Sequence, residues 1–299
     1  MKNILLLSIA IFLLPIMNLT NAQEQEKQEE EFIITFAVGS YEISTLSEGQ
    51  QVRNSEILVD ASAEILSQCI PEGNYSNATN AFLVRTQDKI ILIDAGHGRK
   101  LFDNMLSRNV TAEKVDIILL THMHGDHIGG LLQDGKVAFP NAELYLSQPE
   151  YDYWMSDQAR GGGVQARAVI EAYKDKLHLF TPTEIETGGI SLFSGFQAIA
   201  TPGHTPGHTS FLFESEGEKM LIWGDLTHAM AVQIPYPEVA VTYDVDSKMA
   251  IETRKKVLDY VSKHKIPVAG MHIAFPAIGN ITKDGNGYSF KELCLCLGI

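Results

Sequence analysis

One short segment of the sequence places four potential metal ligands within six residues. These ligands are His122, His124, Asp126 and His127. Side chains two residues apart in an extended segment lie on the same face, so His122 and His124 can point to one position. The adjacent side chains of Asp126 and His127 diverge and can reach a second position. Imidazole and carboxylate ligands suit Zn²⁺, Mn²⁺, Fe²⁺ and Co²⁺, so this segment predicts a site for divalent metal ions.

Three further segments each place one more potential ligand directly after a predicted strand. A Thr-Pro-Gly-His turn ends at His204, a Trp-Gly-Asp sequence ends at Asp225, and a Gly-Met-His sequence ends at His272. The carboxyl ends of strands are where α/β proteins place their sites, and Pro and Gly fix the tight turn before His204. One such His alone is more often a hydrogen-bonded structural residue. Together, the five His and two Asp predict a binuclear metal site.

Short strands and amphipathic helices, arranged in two similar halves, must position these ligands. Apolar runs bounded by turn residues predict the strands, and helical spacing of apolar residues predicts the helices. Strands, a helix and strands again in each half favour an α/β fold, a four-layer αβ/βα sandwich. The predicted strands are 81–85, 89–94, 115–121, 143–147, 196–201, 209–214, 219–223 and 266–271, and the predicted helices are 100–109, 148–157, 164–175 and 246–264.

The N-terminal residues have the pattern of a secretory signal peptide. Lys2 precedes an apolar run over 4–17, and Thr20 and Ala22 supply small residues at the −3 and −1 positions of a cleavage site. The run is short for a membrane span, and an uncleaved anchor is the alternative. We therefore predict a signal peptide over 1–22, a charged flexible tether over 23–31, one domain over 32–299, and a periplasmic or secreted protein.

Charge and cysteine content narrow the classes of partner and of metal site. The formal net charge of −14 disfavours nucleic acid and anionic membranes as partners. The expected partner is a small-molecule substrate, and a homodimer is left open. The three cysteines, Cys69, Cys294 and Cys296, form no C-x-x-C metal pattern. A disulfide between Cys69 and one of the other two is also left open, and the metal chemistry must come from His and Asp.

The ligand pattern resembles that of the metallo-β-lactamase superfamily. The His-x-His-x-Asp-His string at 122–127 is followed in the family's order by the later ligands, and the match runs from about Asn80 to Gly279. The resemblance implies the metallo-β-lactamase sandwich, with His208 orienting the ligands from outside. It also implies a first metal on His122, His124 and His204, and a second metal on Asp126, His127 and His272, with Asp225 bridging the two.

A closer likeness is to methyl parathion hydrolases and their lactonase-like relatives. Its motifs include Phe139-Pro140-Asn141-Ala142, the turn from His204 to Thr209, and Phe275-Pro276-Ala277-Ile278-Gly279. Two departures separate this chain from neighbouring subfamilies. β-Lactamases of this fold lack a bridging Asp at the position of Asp225, and acyl-homoserine lactonases often carry a Tyr where this chain has His228.

These likenesses imply a dinuclear metal-dependent hydrolase that uses a metal-bridging hydroxide. Two divalent ions, with Zn²⁺ expected and Mn²⁺, Fe²⁺ or Co²⁺ as alternatives, lower the pKa of the bridging water. Asp126 and Asp225 serve catalysis as ligands, and His228 is a candidate for contact with the leaving group. The expected substrates are lactones or related esters, with phosphotriesters as additional ones. The alternatives are an organophosphorus hydrolase, a β-lactamase-like amide hydrolase, or an exported metal-binding protein without catalytic activity.

An apolar mouth is expected to select the substrate. Hydrophobic and aromatic side chains line most small-molecule sites, although core packing is the commoner role of each aromatic taken singly. The aromatic residues expected at the mouth are Tyr151, Tyr153, Trp154, Phe193 and Phe275.

Overall fold

The protein is described by a computed structural model over residues 33–293. The predicted signal peptide (1–22), the predicted tether (23–31), Cys294 and Cys296 lie outside the described residues. None of the helices within 33–293 is both long enough and apolar enough to span a membrane.

Two seven-stranded sheets dominate the described residues. The first contains, in spatial order, β1 (Ile33–Val38), β2 (Tyr41–Asn54), β4 (Asn74–Arg85), β5 (Ile90–Ile93), β6 (Ile117–Leu119), β9 (Glu143–Ser147) and β10 (Leu177–Phe180). The second contains β11 (Ile190–Phe193), β12 (Phe196–Ala200), β13 (Thr209–Ser215), β14 (Glu218–Ile222), β16 (Val268–Ala269), β17 (Ile278–Asp284) and β18 (Gly287–Glu292). Two short pairs complete the strands: β3 (Leu58–Val59) with β15 (Ala240–Val241), and β7 (Leu132–Gln133) with β8 (Lys136–Val137).

Helices connect the strands and cover the outer faces of the sheets. Two helices near the site begin after a polar N-cap residue. The side chain of Ser147 accepts a hydrogen bond from the backbone N–H of Glu150, and the side chain of Asp246 accepts one from the backbone N–H of Met249. The helices in the described range are α1 (Ala63–Cys69), α2 (Leu101–Ser107), α3 (Gly125–Ile128), α4 (Gln148–Met155), α5 (Val164–Ala172), α6 (Met230–Gln233) and α7 (Ser247–His264).

Alternating apolar residues on the central strands face two separate cores. Ile91 and Ile93 of β5 point into the core between the sheets, whereas Leu92 points into the core beneath α2, α4 and α5. This alternation follows from the two-residue period of a strand. Val257 and Leu258 of α7 close the second sheet from outside, where α7 contacts β17. The layers are therefore helix, sheet, sheet and helix, and the predicted four-layer sandwich is confirmed.

The carboxyl ends of the parallel strands gather at one edge of the sandwich. β5, β6 and β9 run parallel in the first sheet, and β14 and β16 run parallel in the second. The segments that follow these strands carry Asp94, His122, Glu150, Asp225 and His272.

The sequence prediction was incomplete at both ends of the described range. It omitted the antiparallel β1–β2 pair and the β17–β18 hairpin. It also began the first strand of the 81–94 hairpin too late, because β4 starts at Asn74 and its early residues pair with β2. Those early residues are mostly polar, so no apolar run marks them in the sequence. The predicted helices over 100–109, 148–157, 164–175 and 246–264 are confirmed as α2, α4, α5 and α7.

Candidate metal centre

The loop after β6 is held in place by the buried carboxylate of Asp94. Asp94 accepts hydrogen bonds from the backbone N–H of Thr121 at 2.8 Å and from the hydroxyl of Thr121 at 2.7 Å. His124 then caps the short helix α3, whose first turn contains Asp126 and His127. Because the chain changes from extended to helical at His124, the residues on its two sides point to different positions.

Three imidazole nitrogens meet at a first position. Nδ1 of His124 lies 2.9 Å from Nε2 of His122 and 2.9 Å from Nε2 of His204. Oδ2 of Asp225 lies 3.6 Å from Nε2 of His122 and 3.4 Å from Nε2 of His204. We call these four residues the first ligand cluster; their candidate ligand atoms lie within 4.8 Å of one another.

A carboxylate and two imidazoles meet at a second position, beside the first. Nε2 of His127 lies 3.7 Å from Oδ1 of Asp126, and Nε2 of His272 lies 3.4 Å from Oδ2 of Asp126. Asp225 reaches this position as well, since its Oδ1 lies 3.2 Å from His127 and its Oδ2 lies 3.1 Å from His272. We call Asp126, His127 and His272 the second ligand cluster. The structure thus brings all seven predicted ligands together, with Asp225 facing both clusters.

Unsatisfied buried atoms show that these residues fit metal ions. Nε2 of His127 and Oδ1 of Asp225 are buried and 3.2 Å apart, but neither has the geometry of a hydrogen bond to the other or to any other group among the described residues. An imidazole nitrogen carries at most one proton, so Nδ1 of His124 cannot be satisfied by hydrogen bonds to two neighbouring nitrogens at once. Two nitrogens bound to one tetrahedral zinc ion are roughly 3.3 Å apart, given Zn–N bonds of about 2.0–2.1 Å, and the observed spacings are close to that.

Burial keeps the three imidazoles of the first cluster neutral. It lowers the pKa of His124 to about 4, and it holds the pKa values of His122 and His204 well below their usual value. Neutral imidazoles offer a lone pair to a metal ion. The second cluster differs: burial opposes protonation of His127, but Asp225, Asp94 and Asp126 outweigh it and raise the pKa of His127.

Outer hydrogen bonds fix the orientation of three of the imidazoles. Nδ1 of His127 lies 2.6 Å from Oδ2 of Asp94, and Nδ1 of His204 lies 3.0 Å from Oδ1 of Asp244. Nδ1 of His272 lies 2.8 Å from the carbonyl oxygen of Ala78. Such partners set which ring nitrogen faces the metal. These roles of Asp94 and Asp244 were not predicted from the sequence. The position of Asp94 directly after β5 is the one sequence feature that could have indicated its role.

A buried carboxylate ties two metal-binding loops together. Glu150 accepts hydrogen bonds from the backbone N–H groups of Met123 at 3.0 Å and Gly207 at 3.1 Å, and from the side chains of Trp154 and Thr205, both at 2.6 Å. Gly207 is required there because a Cβ atom would overlap the backbone of Glu150. Glu150 therefore holds the loop of His122 against the loop of His204, a role that sequence analysis missed.

His208 holds the backbone of Asp225, the ligand that the two clusters share. Its Nε2 accepts a hydrogen bond from the backbone N–H of Asp225 at 2.9 Å, and its Nδ1 lies 2.8 Å from the hydroxyl of Thr201. Gly224, with a φ of +62°, places its Cα where a Cβ would come within 2.5 Å of His208. This contact agrees with the outer position that the family resemblance implies for His208.

His228 lies against both clusters. Its Nε2 is 3.1 Å from Oδ2 of Asp225, and its ring stacks on that of His272 with centroids 4.8 Å apart. The backbone of His228 is held by Gln233, which accepts from its N–H at 2.7 Å, and by Asn77, which donates to its carbonyl at 2.7 Å. Nδ1 of His228 is buried and has no hydrogen-bond partner within residues 33–293.

A cavity of about 500 Å³ opens over the two clusters. Of the five aromatic residues expected at its mouth, Trp154 lines it, whereas Tyr153 is buried in the core under the first sheet. Phe193 lines a different cavity at the turns that join β1 to β2 and β4 to β5. Several residues of the cavity wall were not predicted from the sequence, and His97 also lines the cavity. The missed residues are Arg53, Asn77, Thr79, Arg160 and Tyr243.

Comparison with known proteins identifies the fold family. The family model of the metallo-beta-lactamase superfamily matches residues 75–261. The crystal structure of "hydrolase AbOPH in beta lactamase superfamily" superposes with a TM-score of 0.80 at 30% identity, over 88% of this chain and 98% of that chain. The structure of AidC, described as a dizinc quorum-quenching lactonase, gives the same TM-score of 0.80 at 24% identity, over 88% of this chain and 98% of its own.

Among curated proteins, the uncharacterized protein YobT of Bacillus subtilis (strain 168) is 33% identical over 146 residues, which are 49% of this chain and 60% of YobT. The chain spans about half the length of the first curated relatives that it matches. The family model covers more than half of the chain, and its match includes six of the seven predicted ligands. The chain therefore belongs to the metallo-beta-lactamase superfamily.

Proposed function

We propose that this protein is a dinuclear metal-dependent hydrolase of lactones or related esters. The observation that carries the proposal is the pair of ligand clusters that share Asp225 and contain buried nitrogen and oxygen atoms without hydrogen-bond partners. A purely structural His and Asp network would satisfy these atoms internally, because unpaired buried polar groups are costly. A non-catalytic metal-binding protein would also need no cavity over the clusters.

His122, His124, His204 and Asp225 would hold one ion, and Asp126, His127, His272 and Asp225 would hold the other. When bound, two divalent ions supply Lewis acidity and a water of lowered pKa at neutral pH. Asp126 and Asp225 balance the charge of the ions as ligands. Zn²⁺ is the ion that we expect, because imidazole and carboxylate donors in a four-coordinate arrangement suit it.

His228 would donate a proton to the leaving group. Its ring lines the cavity, and its Nε2 lies 3.1 Å from Oδ2 of the shared carboxylate Asp225, beside both ligand clusters. Asn77 and Gln233 hold its backbone in place. General acid catalysis requires a donor within hydrogen-bond reach of the departing oxygen, and the position of His228 at the cavity wall suits a leaving alkoxide.

The cavity favours a small, partly apolar substrate. Its volume of about 500 Å³ lies in the range of small-molecule sites, and Trp154, Ile57 and Tyr243 give it apolar surface. The similarity to AidC, a lactonase, supports lactones. Phosphotriesters are the second candidates because the same chemistry acts on a phosphoryl group. β-Lactam amides rank lower, since Asp225 stands where the β-lactamases of this fold lack a bridging Asp.

We also propose that the protein is exported, on the basis of the signal-peptide pattern at 1–22. Fractionation of cells that produce the full chain, with N-terminal sequencing of the recovered protein, tests this proposal. Recovery of uncleaved chain from the cytoplasm would contradict it.

A substrate panel with and without a chelator tests the proposed activity. The purified protein is assayed on a lactone, an aryl ester, a phosphotriester and a β-lactam, then again after chelation and after Zn²⁺ is restored. We expect turnover of the lactone or the ester, loss of that turnover on chelation, and recovery with the metal. Turnover that survives complete metal removal, or a metal-loaded protein inactive on every substrate, would overturn the proposal.

A further inference from the structure

One wall of the cavity is formed by the paired strands β2 and β4. Tyr75, Asn77 and Thr79 alternate along β4 and therefore share one face of the strand, and Asn77 and Thr79 line the cavity. In the register of the two strands, Arg53 lies directly opposite Tyr75. Side chains opposite each other in an antiparallel pair are close neighbours on the same face. Arg53, which also lines the cavity, is therefore adjacent to Tyr75 on the cavity side of the sheet.

Arg53 and Tyr75 both carry hydrogen-bonding groups that the protein leaves unused. Within residues 33–293, Arg53 has no carboxylate within ion-pair distance. The hydroxyl of Tyr75 is buried and has no hydrogen-bond partner in the same range. Tyr75 belongs to a buried apolar cluster with Val232 and Val239. Tyr75 does not itself line the cavity, whereas Arg53 beside it does.

A third polar group belongs to the same corner. Tyr243 lines the cavity, and its segment is held by Arg160, whose guanidinium donates to the carbonyls of Thr242 at 3.1 Å and Tyr243 at 3.2 Å. Burial raises the pKa of Tyr75 to about 12, and the charges of Arg53 and Tyr243 both act on that pKa. The Tyr75 hydroxyl therefore stays protonated at neutral pH. Arg160 uses its Nη1 atom to hold the backbone, whereas no hydrogen bond or ion pair engages the guanidinium of Arg53 within residues 33–293.

We propose that Arg53 and Tyr243, which both line the cavity, form a subsite for an anionic group of the substrate. On this proposal, which rests on the proposed hydrolase function, the preferred substrates are esters or lactones whose acyl part ends in a carboxylate. The guanidinium of Arg53 pairs with a carboxylate through two parallel hydrogen bonds. The Tyr243 hydroxyl donates to a remaining lone pair.

Matched pairs of substrates test this subsite. The mono-nitrophenyl esters of succinic, glutaric, adipic and suberic acids are compared with neutral nitrophenyl alkanoates of the same chain lengths. We expect kcat/KM to favour the anionic ester at one or two lengths, because the subsite lies at a fixed distance from the metals. Arg53→Gln should reduce the ratio of anionic to neutral kcat/KM about tenfold, the usual size of a charge-assisted hydrogen bond. Arg53→Lys should restore part of the ratio, and Tyr243→Phe should reduce it by a smaller factor.

A charge-matched control separates the subsite from long-range attraction. Lys136→Gln removes the same charge from the exposed β8 strand, outside the cavity, and should leave the ratio unchanged. The proposal is wrong if the wild-type protein shows no preference for the anionic esters at any length, or if Arg53→Gln and Lys136→Gln change the ratio equally. Turnover of the neutral esters alone would support the proposed hydrolase while excluding the anionic subsite. Absence of turnover on every ester would instead count against the hydrolase itself.

Discussion

The two ligand clusters share one carboxylate but differ in charge. The first places three imidazoles around one face of Asp225, and burial keeps those rings neutral. The second contains Asp126 and two imidazoles whose pKa values are raised by the surrounding carboxylates. An ion in the first position therefore receives negative charge from Asp225 alone, whereas an ion in the second position also receives it from Asp126. The two ions would consequently differ in affinity and in Lewis acidity.

The clusters also differ in how the rest of the protein supports them. Asp94 lies under the second cluster, is fully buried, and binds both His127 and Thr121. Asp244 supports the first cluster through His204 and accepts from the backbone of Val241 at 3.1 Å. Each position therefore has its own outer carboxylate, so metal binding at the two positions can be weakened one at a time.

The largest effect is expected for the residue that the clusters share. Asp225→Ala removes a ligand from both positions and leaves His127 and His272 without their buried counter-charge. We expect metal content to fall at both positions and kcat/KM to fall by more than the roughly 100-fold that loss of an outer partner can cost. Elemental analysis with ester kinetics measures both. Full metal content in this variant would contradict a bridging role.

Asp126→Asn should separate the clusters. The substitution removes the one carboxylate that belongs to the second cluster alone. We therefore expect the ion at the second position to be lost while the ion at the first position remains. Activity should fall almost as far as in the Asp225 variant, because two-metal chemistry needs both ions. Elemental analysis should give about one metal per chain. Two retained metals with unchanged turnover would show that Asp126 is not a ligand.

His228→Gln should lower turnover without removing either metal. His228 touches both clusters through Asp225 but belongs to neither of the two main ligand sets. We expect kcat to fall on the order of 100-fold, a typical contribution of general acid catalysis. The loss should be greater for substrates with poor leaving groups, and a series of aryl esters of graded leaving-group acidity measures this. An equal loss of kcat for all leaving groups would indicate that His228 has a positioning role and does not act as the general acid.

The smallest effects are expected for the matched outer carboxylates. Asp94→Asn should weaken metal binding at the second position, and Asp244→Asn should weaken it at the first, each by roughly 10- to 100-fold. Competition with a chelator, followed in each variant, measures the two affinities. If both variants weaken the same position, the assignment of one outer carboxylate to each cluster is incorrect.

The sequence could predict that the seven candidate ligands come together because they follow strands. Periodicity locates β6, β12, β14 and β16, and the ligand lies just beyond the end of each strand. Parallel strands then bring these ends to one edge of the sandwich. His122 and His272 are 150 residues apart in the sequence, yet this rule places them together.

The residues that were missed act through contacts with no spacing signal. Glu150 joins two loops from a helix, and its role depends on the position of Gly207, 57 residues away in the sequence. Arg53 and Tyr75 meet only through the register of β2 with β4, and the polar sequence of early β4 concealed that strand. Composition alone cannot tell which cavity the aromatic ring of Phe193 lines. The fold places it in the cavity at the β1–β2 and β4–β5 turns, away from the ligand clusters.

Anomalous diffraction at the zinc edge from crystals of the metal-loaded protein tests the central claim most directly. We predict two peaks per chain, each about 2.0–2.3 Å from its ligand atoms, with the carboxylate of Asp225 bonded to both. A single peak, or two peaks that Asp225 does not bridge, would contradict the account of two unequal positions that share one ligand.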